Sequence, residues 1–350
     1  MAHNDYPMAV IPPLSPIPAN VDQFDPYEDN KDAYREEQGP NTAQVPKSSA
    51  LLTLQSIYFG ISGMLGFGER FSLLFFFLFG GALFGFCFSR VMMMVPSNVE
   101  IVTVPGEWYW YSKTLFKRCI FVHIYLNIIA GIFAVFQFIP MIRRRKIILH
   151  RINGYFVLSM LLPATVTGAI VARRAFGGEL NSQAAFYILG SMIGFAAFMG
   201  ISNVRKTRKH RKWMLRTVAY TSSAITGRVL AIIVRAIVSV SGSYHAVWSC
   251  DEVSFLLKNT SAAASMFPTC VLSGGEDPKT VYVPVHASIH EDPINFGSAQ
   301  RVSFGMALWL GILIHVVAVE IYIRGTESYQ WPPRSLEALH HRDEENHGKS

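Results

Sequence analysis

Histidine followed by arginine occurs twice at the same kind of boundary. His150-Arg151 stands in "RRRKIILHRINGYF" (143–156), and His210-Arg211 stands in "RKTRKHRKWMLR" (205–216). Each pair follows a burst of positive charge and precedes an aromatic residue and a long apolar run. A neutral imidazole can ligate haem iron, and it can take up or release a proton near neutral pH. Arginine beside it can hold a carboxylate or a propionate through paired N–H donors. The pattern therefore offers two chemistries. One is b-type haem (haem b) ligated by His150 and His210, with Arg151 and Arg216 on the propionates. The other is acid–base handling of an anionic lipophilic molecule.

Both chemistries depend on what the apolar runs are. Apolar residues make up 51% of the 350-residue chain and charged residues only 16%, which is unusual for a soluble protein. Phenylalanine is abundant and lies in unbroken runs rather than in alternation. Such a chain has lipid as part of its solvent. The basic excess sits largely in short runs beside the apolar segments, where it orients helices in a bilayer. No nucleic-acid partner is implied; the bilayer itself is the first partner. Beyond it, the readings call for a lipophilic small molecule or a redox partner.

A bilayer core takes about 20 apolar residues per helix. Six segments qualify, at about 71–94, 119–142, 149–172, 184–204, 214–240 and 303–323. The expected fold is an all-α integral membrane bundle of six transmembrane helices, with a central four-helix core made of two hairpins. The expected organisation is a disordered tail over 1–48, a bundle over 49–325 and a polar tail over 326–350. The stretch 50–67 is short and broken by glycine, and reads as an interfacial helix.

The basic turns at 143–146 and 205–212 place themselves, and both termini, in the cytoplasm. That puts residues 241–302 outside or in a lumen, as in a protein of the secretory pathway or plasma membrane. The loop carries Cys250 and Cys270, which an oxidising compartment would join, and a glycosylation sequon at Asn259.

Depth along the spans suggests two polar clusters. His123 lies about four residues into the second segment, roughly 6–7 Å deep at the helical rise. Arg228, from the fifth, falls at a similar depth, with Gln137 deeper. At the opposite end His150, Arg151, His210, Arg216 and Glu320 fall together. Glu107, next to "WYWY", is a candidate partner for Arg228 or Arg235.

The stretch from His123 through "FQFIPMIRRRKIILHRINGYFVL", "ARRAFGGELNSQAAF" and "HRKWMLR" resembles the integral-membrane family called domain of unknown function 2306, in its longer fungal form. The resemblance covers most of 60–325. It carries onto this chain the positions His123, Gln137, His150, Arg151, Gly154, His210, Arg211, Trp213, Met214 and Arg216. It implies a multi-pass membrane protein and names no activity.

Three functions fit these residues. The most concrete is haem-dependent electron transfer, with His150 and His210 on the iron and Arg151, Arg216, His123 and Arg228 around the cofactor. The second is an enzyme or accessory protein acting on a lipophilic metabolite through His and Arg. The third is a structural or transport component. Aspartate is absent from the six segments, which argues against magnesium–diphosphate chemistry.

Overall fold

A computed structural model describes residues 49–67, 72–258, 260–272 and 281–330. Asn259 lies outside the described residues, as do both tails. The chain divides into two units at Gly60/Ile61, and every contact below lies within the second. A helix over Ser49–Leu65 crosses that division and ends at Gly66, whose φ of 81° only glycine adopts without cost.

Six helices are long and apolar enough to cross a bilayer. Span 1 is Leu73–Met94, span 2 Thr114–Phe136, span 3 Ile147–Ala172, span 4 Leu180–Ser202, span 5 Thr207–Ser241 and span 6 Pro293–Thr326. Span 2 stops short of the expected 142. Pro140 cannot donate into a preceding turn, so it opens a separate short helix, Pro140–Arg145. Spans 5 and 6 are much longer than the expected segments.

Small residues allow the spans to approach closely, as lipid-embedded helices require. A Cβ on Gly227 would lie 3.1 Å from Leu308 Cα, and one on Gly311 would lie 2.9 Å from the Ser223 carbonyl; both sit on the span 5–span 6 seam. Gly168 makes room for the His123 ring between spans 2 and 3. Span 1 is peripheral, with Phe77 and Phe79 exposed on its outer side. In a bilayer those rings face acyl chains.

Residues 242–292 add something the helical reading did not contain. His245–Ser249 (β1) and Tyr282–His286 (β2) pair antiparallel, with Trp248 opposite Val283. A helix over Cys250–Leu257 follows β1, started by a capping box. Ser249 Oγ accepts from the Glu252 N–H, and the Glu252 carboxylate accepts from the Ser249 N–H. Cys250 and Cys270 form a disulfide. This small sheet-and-helix cap sits over one end of the bundle; the end carrying the basic turns is the other.

Candidate functional site

The sequence motifs fall at three levels. At the basic end, spans 3 and 5 begin alike. Lys146 and Lys206 precede them, and each lysine carbonyl accepts from the backbone N–H of a histidine four residues on, His150 and His210 respectively. Gln137 Nε2 donates to the His150 carbonyl at 3.2 Å, and Gly154 leaves the room that Gln137 occupies. His210 Nδ1 is 2.8 Å from the Gly200 carbonyl, so that nitrogen carries the proton. A Cβ on Gly200 would collide with Met214. Arg216 lies over Trp213, 4.6 Å from its ring centre. Its guanidinium donates from Nε and Nη2 to the two oxygens of Glu320, at 2.6 and 2.9 Å. Gln137, Gly154, His210, Met214, Trp213 and Arg216 thus brace the helix ends. Arg151 is exposed, and His150 leaves a buried Nδ1 without a hydrogen-bond partner.

At mid-level, His123 Nδ1 is 2.8 Å from the Ala164 carbonyl, and Asn127 packs against the same ring. A carbonyl only accepts, so Nδ1 bears the hydrogen and Nε2 keeps a lone pair. Arg228 is close enough to act on His123 electrostatically. It bonds back to the Ala224 carbonyl at 2.8 Å and lies 5.9 Å from the Phe86 ring centre. Arg90, at the end of span 1, lies 5.4 Å from that same ring. Among the described residues, neither arginine has a carboxylate within 4.0 Å. His315 Nε2 lies 2.7 Å from the Thr226 hydroxyl.

The third level lies under the cap, and here an expectation is corrected. The partner of Glu107 is neither Arg228 nor Arg235. Glu107 and Glu252 both face Arg301, at 3.5 and 3.2 Å, and all three side chains are buried. Arg235 instead donates to Gln300 and lies over Phe296. The Arg301 guanidinium stacks on Trp248 at 3.6 Å. Glu107 also accepts from the Phe176 and Gly177 backbone N–H groups and from the Tyr111 hydroxyl. The Trp110 indole donates to Glu252. Burial raises the Glu107 pKa, with Arg301 opposing it; Glu179, facing the same arginine, is raised by burial too. Burial and the adjacent Glu107 push the Tyr111 hydroxyl well above the ordinary tyrosine range.

The sequence reading did not reach Arg301 or Arg90. Arg301 precedes the segment that reads as the sixth span, and nothing local to it points to a partner 194 positions back (301 − 107) or to one 49 back. Arg90 is a lone charge at the end of an apolar run, easily taken for an interface anchor. Its place one helical turn after Phe86 was the available signal.

The six residues proposed around a haem do not form one site. His150 and His210 are within electrostatic reach of each other, but His123 and Arg228 belong to another level. Arg216 already holds Glu320 at two points, and Arg151 is exposed, so the expected propionate partners are committed or turned away. The residues present do not fit that cofactor.

Comparison with known sequences bears on the same region. Residues 120–253 match a family model described as predicted membrane protein, DUF2306. The match covers the middle of the bundle and leaves out spans 1 and 6. It opens three residues before His123, includes spans 3, 4 and 5 entirely, and ends within the helix that carries Glu252. The family resemblance of the His-Arg motifs is therefore upheld over this segment. The chain is also 23% identical over 274 residues to "Ava biosynthesis cluster protein G" of Aspergillus versicolor, covering 65% of this chain and 80% of that protein. No solved structure matches the chain.

Proposed function

We propose that this integral membrane protein binds a lipophilic metabolite bearing an acidic group, and handles its proton within the bilayer as an enzyme or accessory protein of a biosynthetic route. The observation that carries the reading is the shared position of Arg90 and Arg228 on the Phe86 ring, with no acidic partner among the described residues. A cation in the hydrocarbon region costs several kcal/mol unless it faces a polar interior or a ligand. Two guanidiniums that share one ring repel each other, so a ligand anion that reaches both relieves both costs. The surrounding phenylalanines of span 1 suit an apolar body. His123, with Nε2 bare and Nδ1 tied to Ala164, supplies a base of fixed tautomer in reach of Arg228. The name of the Aspergillus versicolor relative, a biosynthesis cluster protein, supports a metabolite rather than an electron as the cargo.

The test is a binding titration with a fluorescent polyene fatty acid and its methyl ester, using the full chain in lipid nanodiscs. The acid should bind, the ester should bind about tenfold or more weakly, and Arg90→Gln/Arg228→Gln should erase the difference. Equal binding of acid and ester by the native chain would overturn the reading.

For orientation, we propose the basic turns on the cytoplasmic side and the cap outside or in a lumen. The basic runs and the Cys250–Cys270 bond both favour that arrangement.

A further inference from the structure

The root of the cap, where span 5 ends and span 6 begins, holds three titratable groups that the reading above does not use. His245 and His286 stand opposite each other in the β1–β2 pairing, with ring centres 5.4 Å apart. Glu291 lies in the turn that leads into span 6. Span 5 closes on Gly242, whose φ of 65° ends the helix in the left-handed conformation.

His286 sits between two acceptors. Its Nδ1 is 3.1 and 3.3 Å from the two carboxylate oxygens of Glu291. Its Nε2 is 3.2 Å from the Gly242 carbonyl. A carbonyl and an ionised carboxylate only accept. A neutral imidazole has one N–H and one lone pair, so it satisfies one of these contacts and turns its lone pair on the other. The imidazolium satisfies both, and it adds an ion pair with Glu291. The geometry therefore selects the protonated ring.

Few groups face this ring. From β1 comes His245, which opposes the charge on His286 when it takes up a proton itself. From the turn comes Glu291. The end of span 5 presents the Gly242 carbonyl, and span 6 presents the Asn295 amide, which donates to the His286 carbonyl. Among the described residues no second carboxylate lies within 4.0 Å of His286. The same corner has bonds that do not titrate. The Ala287 N–H donates to the Tyr244 carbonyl, and the Ile289 N–H donates to the Ser239 hydroxyl. Loss of a His286 contact thus loosens the corner without unfolding the cap.

We propose that His286 is a pH-operated latch. Protonated, it ties the exit of span 5 to the entry of span 6 through Gly242 and Glu291; neutral, it releases one of them. Histidine changes charge between about pH 5 and about pH 8. The tie is present at the acid end of that range and is lost as pH rises through it. The latch does not depend on which side of the membrane carries the cap.

Hydrogen–deuterium exchange of the full chain in lipid nanodiscs tests this, at about pH 6 and about pH 8, corrected for the intrinsic pH dependence of exchange. Protection over 242–249 and 286–292 should fall about two- to fivefold from the lower pH to the higher. That is the scale of an ion pair whose side chains are 31% and 48% exposed. His286→Gln should remove the change. Glu291→Ala should remove it too, because a neutral ring satisfies the one acceptor left. His245→Gln should keep it. Glu107 and Glu179 are present in all of these proteins, so their titration is common to them and cancels in the comparison. No change in the native chain, or a change that survives in His286→Gln, would overturn the latch. So would a response that disappears in His245→Gln, which would assign the switch to the other ring. Should His286→Gln fail to fold, Glu291→Ala provides the same comparison.

Discussion

Arg216 and Glu320 meet side by side across 104 residues of sequence, Nε on Oε1 and Nη2 on Oε2. They come from the two longest helices, spans 5 and 6, and the contact fixes the register of one against the other at the basic end. Removing one partner strands the other in a partly apolar setting. Glu320→Ala should therefore lower stability by about 1.5–3 kcal/mol, the range for hydrogen bonds to charged groups. The exchange Arg216→Glu/Glu320→Arg should recover part of the loss. A thermal melt of the three proteins in one detergent decides it; a Glu320→Ala midpoint equal to the native one would show that the pair is not holding the register.

The cap should become less stable as pH rises. Glu107 and Glu179 both have pKa values raised by burial around the single guanidinium of Arg301. A folded state with a raised carboxyl pKa binds the proton more tightly than the unfolded chain. The stability from that proton is fully present below about pH 4.5, the unfolded value, and is lost as pH rises through the folded values. Other groups titrate over the same range, so the comparison is a difference. The melting midpoint of native protein minus that of Glu107→Gln should fall as pH rises above about 4.5. A flat or rising difference would mean that Arg301 fully compensates the buried charge.

Much of the bundle was legible in the sequence because span length and apolar content are set directly by bilayer thickness. The pairing of Arg216 with Glu320 was also within reach, since depth along two antiparallel helices can be counted. The cap was not. "HAVWS" and "YVPVH" alternate as strands do, but each is five residues long and they lie more than thirty apart, so nothing local shows that they pair. Arg301 was missed for a related reason. Its partners reach it only because the turn at Phe176 and Gly177, the aromatic helix Trp108–Tyr111 and the capping box converge on one point. Span counting carries depth but not the azimuth of a helix, which is why His123 and Arg228 could be matched in depth while Arg90 went unseen.

If the cap faces a lumen, the sequon at Asn259 should be glycosylated in a eukaryotic host. Treatment with an endoglycosidase should then sharpen and speed the band on a gel, and Asn259→Gln should run at the treated position. In Cys250→Ser the freed Cys270 thiol should resist a membrane-impermeant reagent applied from the cytoplasmic side; labelling from that side would overturn the orientation. The disulfide closes a loop with a sequence separation of 20, so Cys250→Ser/Cys270→Ser should cost about 3 kcal/mol of stability by loop entropy alone. The loss should be confined to the cap, with the helical signal of the bundle retained.

Gly106 lies between the helices Pro96–Val102 and Trp108–Tyr111 and packs against Trp248 of the cap, and two constraints act on it together. Its φ is 88°, a left-handed conformation that costs other residues roughly 1–2 kcal/mol. A Cβ there would also collide with two atoms of the Trp248 ring. That ring is fully buried, holds Arg301 on one face and donates its indole N–H to Ser298, so it has nowhere to retreat. Overpacking of a filled core adds about 1–3 kcal/mol. Gly106→Ala should thus displace Trp248 and loosen the Arg301 cluster, which limited proteolysis within 242–292 and a red shift of tryptophan emission would report. Gly60→Ala, with open space around its Cβ, is the matched control and should leave both signals unchanged. A Gly106→Ala protein whose cap resists protease as well as the native chain does would show that Trp248 is not the element that locks the cap to the bundle.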